Sequence, residues 1–258
     1  MNQARLFVVI AAVALATAAQ AENALDIRID NAALSWDGVV TGIGGSLPER
    51  LRSDARAVIV VPQLIKAGFG FGGSFGRGVL LRRAANGQWQ PPVFVTVSGG
   101  SFGWQAGLSS MELLLVFRSE QAVAALLNRG LTLGADAGVA AGPFGRRASA
   151  SSDFQADAAV VSYAVAGGLF AGVSVEGLLV RVESRNTQRY YRNAGFAPPY
   201  DQPLKLSQLP QSAQRFLAKI ASDVSPIAST DTPDEGAADD DDSLVTFGLG
   251  QQPLDDDN

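Results

Sequence analysis

The chain has 258 residues, contains neither histidine nor cysteine, and carries a formal net charge of −5. Without these two residue types it lacks the most common general base, the thiol nucleophile and nearly every zinc or haem ligand set. We therefore expect a protein that is not an enzyme and that holds no metal or cofactor. The charge is uneven: residues 22–222 carry 19 Lys plus Arg against 14 Asp plus Glu, whereas residues 223–258 carry 11 acidic and no basic residues.

Residues 1–21 are predicted to be an export signal. Arg5 supplies a positive charge, residues 6–19 are apolar, and Ala-Gln-Ala at 19–21 has the small-x-small pattern of a cleavage site. The mature chain would then begin at Glu22, be exported, and be periplasmic or associated with the envelope. A retained N-terminal membrane anchor is the alternative, and no later segment is long and apolar enough to be a transmembrane span.

The mature chain is predicted to open with helices and then enter a strand. Leu25, Ile29, Ala32, Ala33 and Trp36 recur at helical spacing, which predicts an amphipathic helix over residues 23–40. A short helix follows Pro48. Residues 57–61 are continuously apolar and mostly β-branched, which predicts a strand that is covered on both faces and ended by Pro62.

Glycine then recurs among aromatic and β-branched residues from 67 to 183, which predicts an α+β fold. Its core would be a glycine-rich, strongly curved antiparallel β-sheet or small barrel with flanking helices. Asn86-Gly87 predicts a hairpin turn, and Ser119 and Gly130 are the predicted cap and end of a helix. The predicted strands are residues 69–83, 93–97, 102–108, 112–118, 133–141 and 169–182.

A last amphipathic helix is predicted over residues 207–220, packed on the sheet, with a membrane-surface helix as the alternative. The acidic segment 223–258 is predicted to be a disordered tail, and a calcium site in its aspartate run at 239–242 is less well supported because spaced ligands and a turn glycine are missing. The tail could also shield the basic body from anionic partners.

Other patterns that suggest chemistry are incomplete. The glycines of residues 68–73 match a dinucleotide loop in spacing, but strand-like sequence follows them instead of a helix. Lys66, Lys205 and Lys219 lie in no serine-lysine motif, and the acidic residues of the body, including Glu112, are scattered. We therefore assign no catalytic residue.

Five ordered blocks of the chain form a recognisable pattern. They are KAGFGFGGSFGRGV at 66–79, NGQW at 86–89, GWQAG and ELLLVF at 103–117, LGADAGVAAGPFGR at 133–146, and GLFAGVSVEG at 168–177. These blocks resemble the SYLF, or Ysc84-like, domain family, and the resemblance is strongest over residues 46–191. It implies a lipid-binding domain, which eukaryotic relatives use for phosphoinositides and a fungal branch for actin. One departure is Gly167, where many relatives have a basic residue.

From the resemblance and the basic body we expect non-enzymatic binding of anionic membrane lipids at a bacterial envelope, and no nucleic-acid partner. A scaffold for an envelope protein partner and a soluble carrier of a single lipid are the alternatives. Phe69, Phe71, Phe75, Trp89 and Trp104 are expected to fill the core. The candidate lipid-binding residues, chosen because bases contact phosphates, are Lys66, Arg77, Arg82, Arg83, Arg146 and Arg147.

Overall fold

The computed structural model describes residues 3–142, 158–167, 169–170, 175–192, 200 and 206–224, with side chains omitted at 3–22, 69–70, 101–106 and 169–170. All of these residues lie in the first of two units, Met1–Pro226, and the second unit is Ile227–Asn258. The predicted acidic tail therefore lies almost entirely outside the described residues.

Five α-helices and seven strands make up the described chain, and they confirm the predicted α+β class with a strongly curved, mainly antiparallel sheet. A 3-10 turn, Leu206–Gln208, precedes the last helix. In chain order the elements are α1 Gln3–Gly42, α2 Glu49–Asp54, β1 Ala57–Arg82, β2 Val93–Phe117, α3 Glu120–Arg129, β3 Leu131–Thr132, β4 Val139–Ala141, β5 Val160–Ala166, β6 Leu169–Phe170, β7 Leu179–Val182, α4 Ser184–Tyr190 and α5 Gln211–Val224.

The centre of the fold is a long antiparallel hairpin made by β1 and β2, paired from Ala57↔Phe117 to Leu80↔Val93. The predicted turn at Asn86-Gly87 is confirmed, because Gly87 has φ +82° and the side-chain oxygen of Asn86 accepts a hydrogen bond from the backbone N–H of Gln88 at 3.0 Å. Along its other edge β2 pairs with β7 near its start and with β5 near its end. The sheet order is β3-β7-β2-β5-β4, and β4 and β5 form its parallel pair.

The strand prediction at Pro62 was wrong, because β1 continues through it. Pro62 lies at an irregularity in the β1–β2 pairing between Val61 and Leu64. A proline, which has no backbone N–H to donate, is tolerated at such a break in the ladder. The three predicted strands between 93 and 118 are likewise one strand, β2. Strand β5 and helix α4 were not predicted. The predicted strand at 133–141 is strand only over β4, and the predicted strand at 169–182 is two short strands, β6 and β7, instead of one.

Strand β1 folds back on itself. A Cβ atom at Gly78 would lie 2.5 Å from the carbonyl oxygen of Val60, and one at Gly76 would lie 2.8 Å from Cγ1 of Val61. The two ends of the strand are therefore in backbone contact, and the chain reverses between them at Gly68, where a Cβ would meet the Cα of Gly72 at 2.7 Å. Glycine is required here because any side chain would separate the two layers.

The helices cover this folded hairpin. Leu25, Ile29, Ala32 and Trp36 of α1 are buried, as predicted, and α1 packs on β1. None of the helices in the described part of the chain combines the length and apolar character that a membrane crossing requires.

Helix α3 is confirmed at both ends: the Ser119 hydroxyl accepts from the Ala122 N–H at 3.3 Å, and Gly130 ends the helix with φ +85°.

Helix α5 packs against α1 and α2, so the prediction that it lies on the sheet was wrong. Its apolar residues Ala213, Phe216 and Ile220 are almost fully buried there, which leaves no apolar face for a membrane-surface helix. The helix ends at Val224, two residues beyond the predicted domain end at 222. The carboxylate of Asp223 accepts a hydrogen bond from the buried indole N–H of Trp36 at 2.8 Å.

Candidate functional site

Four large apolar side chains lie exposed on the folded part of the β1–β2 hairpin. Phe71 and Leu108 are 77% and 79% exposed, and Ile65 and Phe75 are 39% and 50% exposed. We call these four residues the hairpin surface. Ile65 and Phe75 line one groove. Large exposed apolar side chains on one part of a protein surface often mark an interaction site.

The alternation of the strand explains why these side chains point outward. From Phe71 to Arg77 the odd-numbered residues are exposed, whereas Ser74 and Gly76 are buried. Successive residues of a strand face opposite sides. Because the inner side is packed so tightly that a Cβ at Gly76 would clash, the large side chains can only lie on the outer side.

Two of the six predicted lipid-binding residues accompany the hairpin surface. Arg77 is exposed, and its guanidinium lies 5.7 Å from the centroid of the Phe75 ring. Lys66 is half-buried next to Ile65, and burial lowers the pKa of its ammonium group. Arg77 therefore lies beside an apolar side chain of the hairpin surface, and Lys66 follows Ile65 along β1.

Arg82 and Arg83 lie at the far end of β1, where their guanidinium groups contact the protein itself. Arg82 donates to the carbonyl oxygen of Tyr200, with Nε at 3.2 Å. Arg83 donates to the carbonyl oxygens of Val224 at 2.9 Å and Ser53 at 3.3 Å, and lies 5.1 Å above the Trp89 ring. These contacts join β1 to α2 and α5. Lipid binding by Arg82 and Arg83 stays a prediction.

The remaining two candidates, Arg146 and Arg147, lie outside the described residues, so their assignment also stays a prediction.

The expectation that aromatic residues fill the core was wrong for Phe71 and Phe75 and is confirmed for Trp89, which is 7% exposed. The side chains of Phe69 and Trp104 are outside the described part. A sequence signal for the exposed aromatics existed, namely glycine at every even position from 68 to 78 except Ser74.

A groove runs between α1 and β1 next to the hairpin surface. It has a volume of about 280 Å³, and its walls include Ile27, Ile65, Phe75 and Arg77. Arg28, at the same groove, is held by Glu183 at 3.0 Å and lies 5.2 Å from the centroid of the Phe94 ring. Arg77 is thus the base at this groove for which the described residues show no carboxylate partner within ion-pair distance.

Glu183 holds this part of the fold together. It accepts hydrogen bonds from Arg28, from the Thr96 hydroxyl at 2.6 Å and from the Asn186 amide. The pKa of Glu183 is lowered, since these hydrogen bonds and the charge of Arg28 together outweigh the effect of burial, which raises it. A carboxylate with this many hydrogen-bond donors has a structural role.

Among the described residues there is no group of three or more Asp, Glu, His or Cys side chains placed to hold a metal ion.

Comparison with known proteins identifies the relatives of this domain. Residues 98–220 match the family described as Ysc84, Las17-binding protein actin regulator. LAS seventeen-binding protein 3 of Saccharomyces cerevisiae is 34% identical over 155 residues, which are 59% of this chain and 33% of that protein. SH3 domain-containing YSC84-like protein 1 is 32% identical in Homo sapiens and 34% in Xenopus laevis over 146 residues, which are 56% of this chain and 42% and 43% of those proteins.

The chain therefore spans between a third and a half of the length of these relatives. The yeast protein is named for binding and the family for binding and actin regulation, and none of these names describes an enzyme. The matched residues begin within β2 and end within α5, so they include most of β2, most of α5 and the elements between them. Residues 98–220 are therefore identified as a match to the Ysc84, or SYLF, domain family.

Proposed function

We propose that this domain binds anionic lipid head groups at a membrane surface through the hairpin surface, without catalysing a reaction. The observation that carries the proposal is the exposure of four apolar side chains on one hairpin, with Arg77 beside Phe75 and Lys66 on the same strand. The four are Phe71, Leu108, Phe75 and Ile65. A full transfer of one such side chain out of water contributes about 1.5–3 kcal/mol. One base near an anionic surface contributes about 1 kcal/mol.

These magnitudes divide the work between the two kinds of residue. Four partly exposed apolar side chains supply most of the binding free energy, whereas two bases supply less and respond to salt. The bases therefore select anionic over neutral membranes, and the apolar residues hold the domain in place. Lys66, half-buried in the free domain, would contribute only once the membrane lies close to it.

The setting is part of the proposal. If residues 1–21 are an export signal, the domain meets lipid at a bacterial envelope. N-terminal sequencing of protein recovered from the periplasm of an expressing bacterium is expected to begin at Glu22. Protein that stays in the cytoplasm and begins at Met1 would contradict export.

Vesicle co-sedimentation of the full chain tests the lipid proposal. The wild-type chain is expected to bind phosphatidylglycerol vesicles, and Phe71→Ser/Leu108→Ser is expected to bind at least about tenfold more weakly, which corresponds to about 1.4 kcal/mol. The control Leu206→Ser changes an apolar side chain that is 53% exposed on a different element, and it should bind like the wild type.

A second pair of variants tests the bases. Lys66→Gln/Arg77→Gln is expected to weaken binding to phosphatidylglycerol vesicles at low salt and to bind like the wild type at high salt, where charges are screened. Arg50→Gln/Arg192→Gln removes two exposed bases from α2 and from the end of α4, and is the matched control. If both double variants lose vesicle binding equally, only the net charge of the protein matters and not the position of the bases. If the wild-type chain binds no vesicle of any composition, the proposal is overturned.

A protein-binding scaffold is the second candidate. The observation that favours it is that the relatives in yeast are named for binding a protein. An exposed apolar surface suits a protein partner as well as a membrane. A carrier of a single lipid has less support, because large side chains including Trp36, Phe94 and Tyr163 are fully buried and fill the interior.

A further inference from the structure

A polar cavity lies on the other side of Pro62 and Gln63 from the groove described above. It has a volume of about 510 Å³ and is formed by α1, the irregular part of β1, the end of β2 that pairs with β5, and Gly167. We call it the Glu112 cavity. Its polar side chains are Asn31, Ser35, Gln63, Ser110 and Glu112.

Glu112 is the charged residue of this cavity, and no Lys or Arg is among its described lining residues. The carboxylate accepts a hydrogen bond from the hydroxyl of Ser35, a residue that is itself 6% exposed. Burial raises the pKa of Glu112, and the Ser35 hydrogen bond offsets only part of this effect. The ionised carboxylate is therefore less favourable here than in water, and a cation in the cavity would offset this cost.

The helix packed above the cavity leaves room for this carboxylate. Gly38 of α1 lies over Glu112, and a Cβ atom at that position would be 3.5 Å from Oε2. A larger side chain there would extend toward the carboxylate oxygen. The carboxylate thus lies between the helix backbone and the open part of the cavity, where Asn31 and Gln63 are exposed.

The donor set favours an ammonium group over a metal ion. Calcium takes six to eight oxygen ligands, usually with several carboxylates, whereas this cavity has one carboxylate and neutral oxygens. A primary ammonium group has three N–H donors and no acceptor. One carboxylate together with two oxygens from Asn31, Gln63 or Ser110 matches that requirement.

We propose that the Glu112 cavity binds a small primary ammonium group, such as that of ethanolamine. Glu112 neutralises the charge and the amide and hydroxyl oxygens around it accept the remaining N–H groups. The ammonium group can belong to a free amine or to a phospholipid head group. The inference does not depend on membrane binding at the hairpin surface, because it concerns a different set of residues.

Nuclear magnetic resonance titration of the full chain with ethanolamine tests the inference without a membrane. We expect saturable shifts in the amide signals of residues 31–35 and 110–112. Choline, which has the same charge but no N–H on its nitrogen, is expected to bind at least about tenfold more weakly because it cannot donate hydrogen bonds. No saturable shift, or equal binding of choline, would overturn the proposal.

Variants then test the residues. Glu112→Gln keeps the shape of the side chain and removes its charge, and it should abolish saturation by ethanolamine. Asn31→Ala changes an exposed residue and should weaken binding without affecting folding, so the site can be tested even if Glu112→Gln folds poorly. Glu176→Gln, a change at an exposed glutamate outside the cavity, is the control. Unchanged ethanolamine binding in Glu112→Gln would contradict the site.

The source of the amine is distinguished with vesicles. Vesicles of phosphatidylethanolamine and of phosphatidylcholine have the same net charge, so a preference for the first that is lost in Glu112→Gln identifies a lipid head group. Ethanolamine binding without such a preference identifies a free amine. The ethanolamine titration tests the Glu112 cavity, whereas the phosphatidylglycerol vesicles test the hairpin surface. A negative titration would therefore contradict this inference without contradicting the proposed function.

Discussion

Glu112 shows how one residue can be held in an environment that does not favour its charge. Its carboxylate is partly buried in a polar cavity and has a serine hydroxyl as its hydrogen-bond donor. In the unfolded chain the same carboxylate is fully hydrated. Folding therefore stabilises the protonated form of Glu112 relative to the ionised form, and the free energy of unfolding depends on pH through this group.

We predict that Glu112→Gln raises the thermal stability of the protein at neutral pH. Because the pKa of Glu112 is raised in the folded state, the unfolded chain loses its proton first as pH rises. The free energy of unfolding of the wild type therefore falls as pH rises from about 4.3, the pKa of glutamate in the unfolded chain, to the higher pKa of Glu112 in the folded protein. It stays at this lower value at neutral pH. Glutamine does not titrate and can still accept from Ser35.

Thermal melts of the two proteins at about pH 7 and about pH 3.5 measure this effect. The gain in Tm of Glu112→Gln over the wild type should be present at the higher pH and absent at the lower one, where both side chains are neutral. An equal gain at both values would show that packing, and not the charge, is responsible. Glu176→Gln gives the background for an exposed glutamate.

The basic residues show the limit of reasoning from residue type. The sequence could nominate Arg77 and Arg83 on equal terms, since Arg77 lies in the glycine-rich block at 66–79 and Arg83 follows it closely. In the structure Arg77 is exposed beside Phe75, whereas Arg83 donates to the carbonyl oxygens of Val224 and Ser53. These acceptors are 141 and 30 residues away along the chain, so no local pattern could reveal them.

The alternation of glycine in β1 determines the shape of the hairpin. We predict that Gly78→Ala destabilises the fold by about 1–3 kcal/mol, the usual range for overpacking. The new methyl group would be placed 2.5 Å from the carbonyl oxygen of Val60 and 2.9 Å from Cγ2 of Val61. A backbone atom cannot move aside as the end of a flexible side chain can.

Denaturant unfolding measures this loss, with Gly100→Ala as the matched control. Gly100 lies in β2 opposite Gly73, and a Cβ there would have nothing within 4 Å. Its replacement by alanine should leave the unfolding midpoint nearly unchanged or raise it slightly. Equal effects of the two substitutions would mean that β1 does not fold back as tightly as described.

Element boundaries were predicted well where a local signal exists. Ser119 and Gly130 cap α3, and Asn86-Gly87 forms the hairpin turn, because these conformations depend on the residues themselves. The length of β1 and β2 was not predicted, since Pro62 and the glycines at 99 and 100 normally interrupt a strand. Pairing over the whole hairpin, a tertiary effect, overrides those local preferences.

At the scale of the whole molecule, the two ends of the domain are joined. Helix α5 contacts α1 through the Trp36–Asp223 hydrogen bond, and Lys219 forms an ion pair with Asp37. The hydroxyl of Tyr190 also donates to Asp26 at 2.9 Å, which adds α4 to this contact. The described C-terminal helix is thus part of the domain.

We predict that a chain ending at Ser222 is less stable than one ending at Pro226 by about 2–4 kcal/mol. The shorter chain loses the fully buried Val224, whose side chain contributes about 1.5–3 kcal/mol, and leaves the Trp36 indole N–H without its acceptor. Chemical denaturation of the two chains measures the difference. Asp223→Ala in the full-length chain isolates the contribution of the indole hydrogen bond, and equal stability of the two truncated chains would contradict the prediction.

The sequence by itself determined the α+β class, the absence of histidine and cysteine chemistry, the separation of a basic body from an acidic tail, and the family motifs. Composition and local periodicity are sufficient for these. Only the tertiary structure decided which aromatic residues are exposed, which arginines are held by the protein, and that Ser35 lies beside Glu112. The physical reason is that each depends on contacts between residues far apart in the chain, such as Val60 with Gly78, and these form only when β1 folds back and α1 covers it.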